Sequence, residues 1–147
     1  MITYQKETYN QVIDEIKPLL QEHWEELAAF PDVPLDPNYD FYQVASNRGM
    51  IRIYTARNDG ELIGYAIYVI NLSNPHYMSM KTASSDIVLV RKPYRNARVG
   101  MGLYDFIEKD LEGFVIATHD KIAHPELGAL MRGRGYDPQT TIWVKRL

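Results

Sequence analysis

Apolar residues recur along this chain with two periods, and each change of period marks a new element. Residues 1–5 read as a short strand. Thr8 is placed to cap a helix in which Val12, Ile13, Ile16, Leu19 and Leu20 share one face. Pro18 falls inside that stretch and predicts a kink or a break, because proline lacks the N–H that the helical ladder uses. The helical pattern continues to Leu27, and Phe30-Pro31-Asp32-Val33-Pro34 is a loop. Asp36 or Asn38 starts a second helix carrying Tyr39, Phe41, Tyr42 and Val44, which Asn47-Arg48-Gly49 ends. The period then drops to two. Over residues 50–57, Ile51, Ile53 and Thr55 alternate with Arg52, Tyr54 and Ala56. Asn58-Asp59-Gly60 is a hairpin turn and residues 61–70 are the returning strand. A loop containing Pro75 precedes another strand, which starts near Met80 and runs to Val90.

The chain is organised around residues 85–108. Ile87 to Val90 is a β-branched and apolar run, the mark of a buried strand, and Pro93 ends it. From Leu103 the spacing is helical, with Leu103, Phe106, Ile107 and Leu111 on one face. Residues 113–118 are a second buried strand, expected to run parallel to 87–90 through a right-handed crossover. Pro125 suits the first turn of a last helix over 126–132, Gly133-Arg134-Gly135-Tyr136 ends it, and residues 140–145 form a final strand. The pattern is that of one α/β domain over residues 1–147, without repeats or an internal boundary.

Composition narrows the chemistry. A chain of 147 residues, 46% hydrophobic and 24% charged, can bury one ordinary core. A net charge of −3 argues against broad nucleic-acid binding, while a local basic module of Arg91, Lys92, Arg95 and Arg98 stays open. The absence of cysteine excludes disulfides, thiolate metal sites and an acyl-cysteine mechanism. The histidines at 23, 76, 119 and 124 lack metal-ligand spacing, so no metal is expected. No secretory apolar region or long apolar span is present, which points to a cytoplasmic protein without membrane contact.

The turn at 95–102 has chemistry of its own. A helix N-terminus carries unpaired amides and partial positive charge, and Gly100 and Gly102 would let an anion approach them. Arg95 and Arg98 add full positive charge, making a site for phosphate or pyrophosphate. The alternative is a helix packed closely on a strand through its two glycines, with solvated arginines. Neither a Walker loop nor a Rossmann fingerprint is present.

These residues resemble the acetyl-CoA signature of the GNAT (Gcn5-related) N-acetyltransferases, a strand, then Arg/Gln-x-x-Gly-x-Gly/Ala, then a helix. Arg95-Asn96-Ala97-Arg98-Val99-Gly100 matches at its first and last fixed positions, with Arg98 where the family has its first glycine. Tyr94 and Leu103 also suit the family pattern. Near the C-terminus, His124 to Tyr136 resembles the family's Asn-x-x-Ala-x-x-Leu-Tyr-x-x-x-Gly-Phe through Leu130, Gly135 and Tyr136. His124 stands for the asparagine and Met131 for the tyrosine. The Asn74-Pro75-His76-Tyr77 loop is most similar to small bacteriophage and prophage members.

The resemblance implies a mixed sheet of about six to seven strands with about four helices, and a splayed parallel strand pair that holds CoA. It implies that main-chain groups near Leu89 and Val90 pair with pantetheine, that His124 contacts it, and that the turn from Arg95 through Asn96, Ala97, Arg98, Val99, Gly100 and Met101 to Gly102 holds the pyrophosphate. The activity implied is direct transfer of acetyl from acetyl-CoA to a primary amine, with acceptor contacts from the first two helices. Because Arg98 and Met131 depart from the pattern, the alternative is an inactive GNAT-fold module that binds CoA or a protein. Family members pair through several surfaces, which allows a homodimer.

Acyl transfer from a thioester requires proton removal from the amine, polarisation of the carbonyl and release of the thiolate. Asp86 is the first candidate base, on the strand that carries Val90; a paired strand-end aspartate is the plainer reading. His119 is the second, because it leaves the carboxyl end of a parallel strand, where open α/β sheets place ligands. A surface histidine beside Asp120 is the plainer reading. Tyr104 is the candidate acid or CoA contact that Met131 cannot supply, weighed against a core tyrosine. His23, Glu25, Glu26, His76 and Tyr77 are candidates to line the acceptor site, weighed against solvated positions.

Overall fold

Five strands make one mixed sheet whose spatial order repeats the chain order. A computed structural model describes residues 1–119 and 125–147. β1 (Ile2–Glu7) is followed by α1 (Tyr9–Leu27) and α2 (Tyr39–Asn47). The sheet continues with β2 (Ile51–Asn58), β3 (Glu61–Asn71) and β4 (Thr82–Val90). A short 3-10 turn (Lys92–Tyr94) leads to α3 (Ala97–Asp110), β5 (Val115–Ala117) and α4 (Pro125–Gly133).

The helices cover both sheet faces, so β2 and β3 bury consecutive residues rather than alternate ones. On one face Val12, Ile16 and Leu19 of α1 and Ala45 of α2 pack on Ile53, Tyr65, Ile67 and Leu89. On the other, Leu103, Ile107 and Leu111 of α3 pack on Tyr54, Ala66, Tyr68 and Ala83. The expected hairpin forms, with Asp59 and Gly60 both at positive φ.

α1 is not divided at Pro18 but runs on to Leu27. An interior proline costs about 3 kcal/mol, and burying each of Val12, Ile16 and Leu19 contributes about 1.5–3 kcal/mol, so packing outweighs the lost bond. The Gln11 side chain accepts from the Thr8 N–H at 2.8 Å and helps fix the start of the helix.

The five strands among the described residues are fewer than the six to seven expected. The final strand over 140–145 is absent, and Trp143 is 90% exposed. Alternation alone does not make a strand, which needs a neighbour to take its N–H and C=O groups. This end of the chain is instead tied to the loop after α1: Arg146 pairs with Asp32 at 2.7 Å and lies over the Phe30 ring. The strand expected over 113–118 is only three residues long, and its Val115 is 52% exposed. It runs parallel to β4 as expected. It meets the beginning of that strand, however, through Thr82↔Val115, Ala83↔Ile116 and Ser84↔Ala117, and not residues 87–90.

Candidate functional site

β4 and β5 part after the Ser84–Ala117 pair, and beyond Ser85, which His119 contacts, residues 86–90 of β4 have no strand neighbour on that side among the described residues. The parting coincides with an irregularity. Ser85 faces Tyr68 and Ile87 faces Ile67, so Asp86 is an extra residue with no partner in β3. Beyond this bulge the phase of β4 is set by the Arg91 N–H, which donates to the Ile63 carbonyl at 2.9 Å. Alternation then turns the main chain of Leu89 toward Tyr65 of β3, and that of Val88 and Val90 toward the opening. Of the two residues expected at the splay, Val90 therefore presents its N–H there. Leu89 does not, and its side chain is buried in the core beneath α1. The Val90 carbonyl accepts from Arg95 Nε at 2.7 Å.

The basic turn lies at the same end of β4, and its parts have separate tasks. Asn96 caps α3, its side chain accepting from the Arg98 and Val99 N–H groups at 3.1 and 3.3 Å. Two amides expected to face an anion are thus already satisfied. Arg95 forms a bidentate pair with Glu26 of α1, with Nη2 to Oε2 at 2.6 Å. Glu26, a candidate acceptor contact weighed against a solvated position, therefore braces this arginine. Arg91 is similarly bonded to Glu61 at 2.6 Å. Arg98 is exposed and makes no ion pair among the described residues. The glycines also differ. A side chain on Gly100 would meet open space, whereas one on Gly102 would overlap the Tyr4 hydroxyl at 2.2 Å. Gly102 is thus packed against Tyr4, while Gly100 leaves its backbone uncovered where a side chain would sit. Val99 is fully buried beside Ala56 and Ile63, and the Met101 thioether lies 3.6 Å from Arg134 Nη1. Ala97 begins α3.

Asp86 is exposed at the bulge and accepts a hydrogen bond from the Tyr42 hydroxyl, Oη to Oδ2 2.6 Å. Burial, and then the Asp86 bond and charge, push the Tyr42 phenol well above its ordinary value. Tyr42 therefore remains a donor at neutral pH and leaves Asp86 Oδ1 for another partner.

His119 follows β5 and is stitched to Ser85. Its N–H donates to Ser85 Oγ at 3.0 Å, and its Nδ1 lies 2.9 Å from the Ser85 carbonyl oxygen. A carbonyl only accepts, so Nδ1 is the donor in this bond, and the neutral tautomer that makes it has its lone pair on Nε2. Asp86 and His119 are thus brought to the same parting of the strands through the adjacent Ser85. Sequence reasoning passed over both positioning residues. Tyr42 was read only as a position on the second helix, and Ser85 carried no signal at all.

Tyr104 is 2% exposed, in the α3 core. Its hydroxyl and those of Tyr68 and Thr118 are buried without hydrogen-bond partners among the described residues, Thr118 being the near neighbour of both phenols. Burial raises the Tyr104 phenol above its ordinary value. Its position is that of the core alternative, not of an exposed acid. Met131 is likewise buried. His124 lies outside the described residues. Among those described, no group of histidines and carboxylates has the arrangement of a metal site, and no helix is long and apolar enough to cross a membrane.

The opening has the donors an extended amide chain needs, in the main chain of Val88 and Val90. The turn beside it offers an anion the exposed Arg98 and the uncovered backbone of Gly100. These residues fit CoA in both its pantetheine and its pyrophosphate.

No protein-family profile and no curated protein matches the sequence. Solved structures do match. An aminoglycoside acetyltransferase from an uncultured soil metagenomic sample, in complex with sisomicin, superposes with a TM-score of 0.76 at 14% identity, covering 99% of this chain and 96% of that one. A ribosomal-protein-alanine N-acetyltransferase from Brucella melitensis biovar Abortus 2308 gives 0.73 at 15% identity, covering 100% and 99%. An aminoglycoside N-acetyltransferase in complex with CoA gives 0.71 at 14% identity, covering 100% and 95%. The chain has the α/β fold of these acetyltransferases, as its resemblance to the GNAT family implied.

Proposed function

We propose that this chain is an N-acetyltransferase that moves the acetyl group of acetyl-CoA directly to a primary amine. The observation that carries the reading is the edge of β4, unpaired among the described residues, which parts from β5 after Ser84 and turns the main chain of Val88 and Val90 into the gap. Such an edge pairs with the amides of an extended pantetheine arm much as it would with another strand. Arg98 and the backbone at Gly100 take the pyrophosphate, and Arg95, braced by Glu26, holds the turn on the end of β4. The fold shared with acetyltransferases, one of them in complex with CoA, supports the same reading.

Within this reading the Val90 N–H polarises the thioester carbonyl. Asp86 Oδ1, the oxygen left over by Tyr42, accepts the proton that the ammonium must lose before its nitrogen can attack. His119 Nε2 is the second acceptor. As the C–N bond forms and the C–S bond breaks, the nitrogen sheds its second proton to solvent and the departing thiolate takes one from solvent, so that one proton is released overall. Residence in the cytoplasm, an origin among phage-type members and pairing as a homodimer belong to the same proposal.

Calorimetric titration with acetyl-CoA and with CoA tests it, followed by a free-thiol readout across primary amines. Micromolar binding and amine-dependent thiol release are expected. Binding without transfer to any amine would make the chain a CoA-binding module. No heat at millimolar ligand would overturn the cofactor assignment altogether.

A further inference from the structure

A cavity of about 530 Å³ opens between α1, α2, the 28–38 segment and the face of the sheet formed by β2, β3 and β4. Its walls include Ile16, Leu20, Trp24, Phe30, Tyr39 and Ile87, and among the described residues Asp36 is the only formally charged one that lines it. One wall leads directly to the catalytic region. Tyr42 lines the cavity, and its hydroxyl is bonded to Asp86 at the β4 bulge. Ile87, the next residue of β4, lines it too.

Building on the N-acetyltransferase reading, we propose that this cavity receives the acceptor, and that the acceptor is a primary amine on a compact apolar body, not a polyamine or an aminoglycoside. The volume is that of a site for a small organic molecule. Apolar walls favour a hydrocarbon or aromatic body. They penalise a ligand studded with hydroxyls or ammonium groups, each of which would lose its water without a partner. A single ammonium at the Tyr42 end meets the Asp86 carboxylate, the group that would take its proton. The aminoglycoside enzymes that share the fold do not carry their acceptor class over to this chain, because the charge needed to hold a polycation is missing from these walls.

The cavity carries its own reporter. Of the two tryptophans, Trp24 lines it and Trp143 is exposed, so Trp143→Phe leaves one fluorophore in the right place. This variant is titrated with 4-phenylbutylamine, spermidine and sisomicin without acetyl-CoA, and the same amines are then compared as acceptors. The expected result is a saturable change in Trp24 emission with 4-phenylbutylamine, at concentrations at least about tenfold below any response to spermidine, and the same order in kcat/KM. Leu35→Arg, which puts a charge on the cavity wall, is expected to weaken 4-phenylbutylamine by at least about tenfold. Its acetyl-CoA affinity, which Leu35 does not touch, reports that it is folded. Preference for spermidine or sisomicin, or acetylation of a peptide N-terminus but not of 4-phenylbutylamine, would overturn the inference. So would indifference to Leu35→Arg. Failure to bind acetyl-CoA would strike the N-acetyltransferase reading instead, and the Trp24 titration would still decide what the cavity prefers.

Discussion

The Tyr42 hydroxyl lies 2.6 Å from Asp86 Oδ2 and joins the second helix to the bulge in β4. The bond leaves one carboxylate oxygen of Asp86 available, and burial keeps the phenol protonated well above neutral pH. Removing a general base typically costs 10²–10⁴-fold in rate, so Asp86→Asn is expected to lower kcat by about 100-fold or more. Tyr42→Phe frees the carboxylate to turn and should lower kcat by about tenfold, with acetyl-CoA affinity unchanged in both variants. Steady-state kinetics beside calorimetry measure this. A full-rate Asp86→Asn enzyme would move the proton to His119.

The two arginines of the turn should separate. Arg98 is exposed and unpaired among the described residues, so Arg98→Glu is expected to weaken acetyl-CoA binding by more than about tenfold with no change in melting temperature. Arg95 is bonded to Val90 and Glu26. Arg95→Met should therefore lower stability as well, by about 1 kcal/mol, since the pair is partly open to water. Denaturant titration distinguishes the two. Equal effects on stability would mean that the Glu26 pair does not brace the turn.

Gly100 and Gly102 are two residues apart and should respond in opposite directions. Alanine at 100 meets open space and replaces a helical glycine, a gain of roughly 0.5–1 kcal/mol. At 102 the new carbon would sit 2.2 Å from the Tyr4 hydroxyl oxygen, and overpacking of this kind costs about 1–3 kcal/mol. Tyr4→Leu combined with Gly102→Ala should recover part of that loss, because the shorter side chain clears the contact. Thermal melts of the single and double variants check it.

Asp110 ties α3 to the sheet through Lys6, Arg52 and Tyr54. Burial pushes its carboxyl up, but those partners outweigh burial and hold it below the ordinary value of 3.8. A carboxyl depressed in the folded state adds stability that is present above its unfolded value and is lost as pH falls through the folded one. Wild type should therefore lose stability below about pH 3.8. Asp110→Asn should be less stable by about 1–3 kcal/mol at pH 7 and show a shallower acid limb. Urea midpoints across pH 2–7 measure both.

Periodicity by itself located nearly every element. The stripe of Val12, Ile16 and Leu19, the alternation of 50–57, the Asn58-Asp59-Gly60 turn and the run before Pro93 are local signals, and local stereochemistry is what they report. The basic turn was legible for the same reason, since its residues are neighbours in the chain. Tertiary structure decided the rest. Pro18 is tolerated because a buried stripe outweighs one backbone bond, and 140–145 is not a strand because no ladder neighbour takes it up. Whether a glycine admits an anion or a tyrosine depends on what packs against it; Tyr4, 98 residues away in the chain, claims Gly102. The site itself is a matter of long-range register. A one-residue bulge at Asp86, a β5 that pairs only as far as Ser84 and a hydroxyl from another helix together open an edge and hold a carboxylate beside it. Pairing and packing between distant segments leave no period in the sequence, so only the folded chain shows where its chemistry converges.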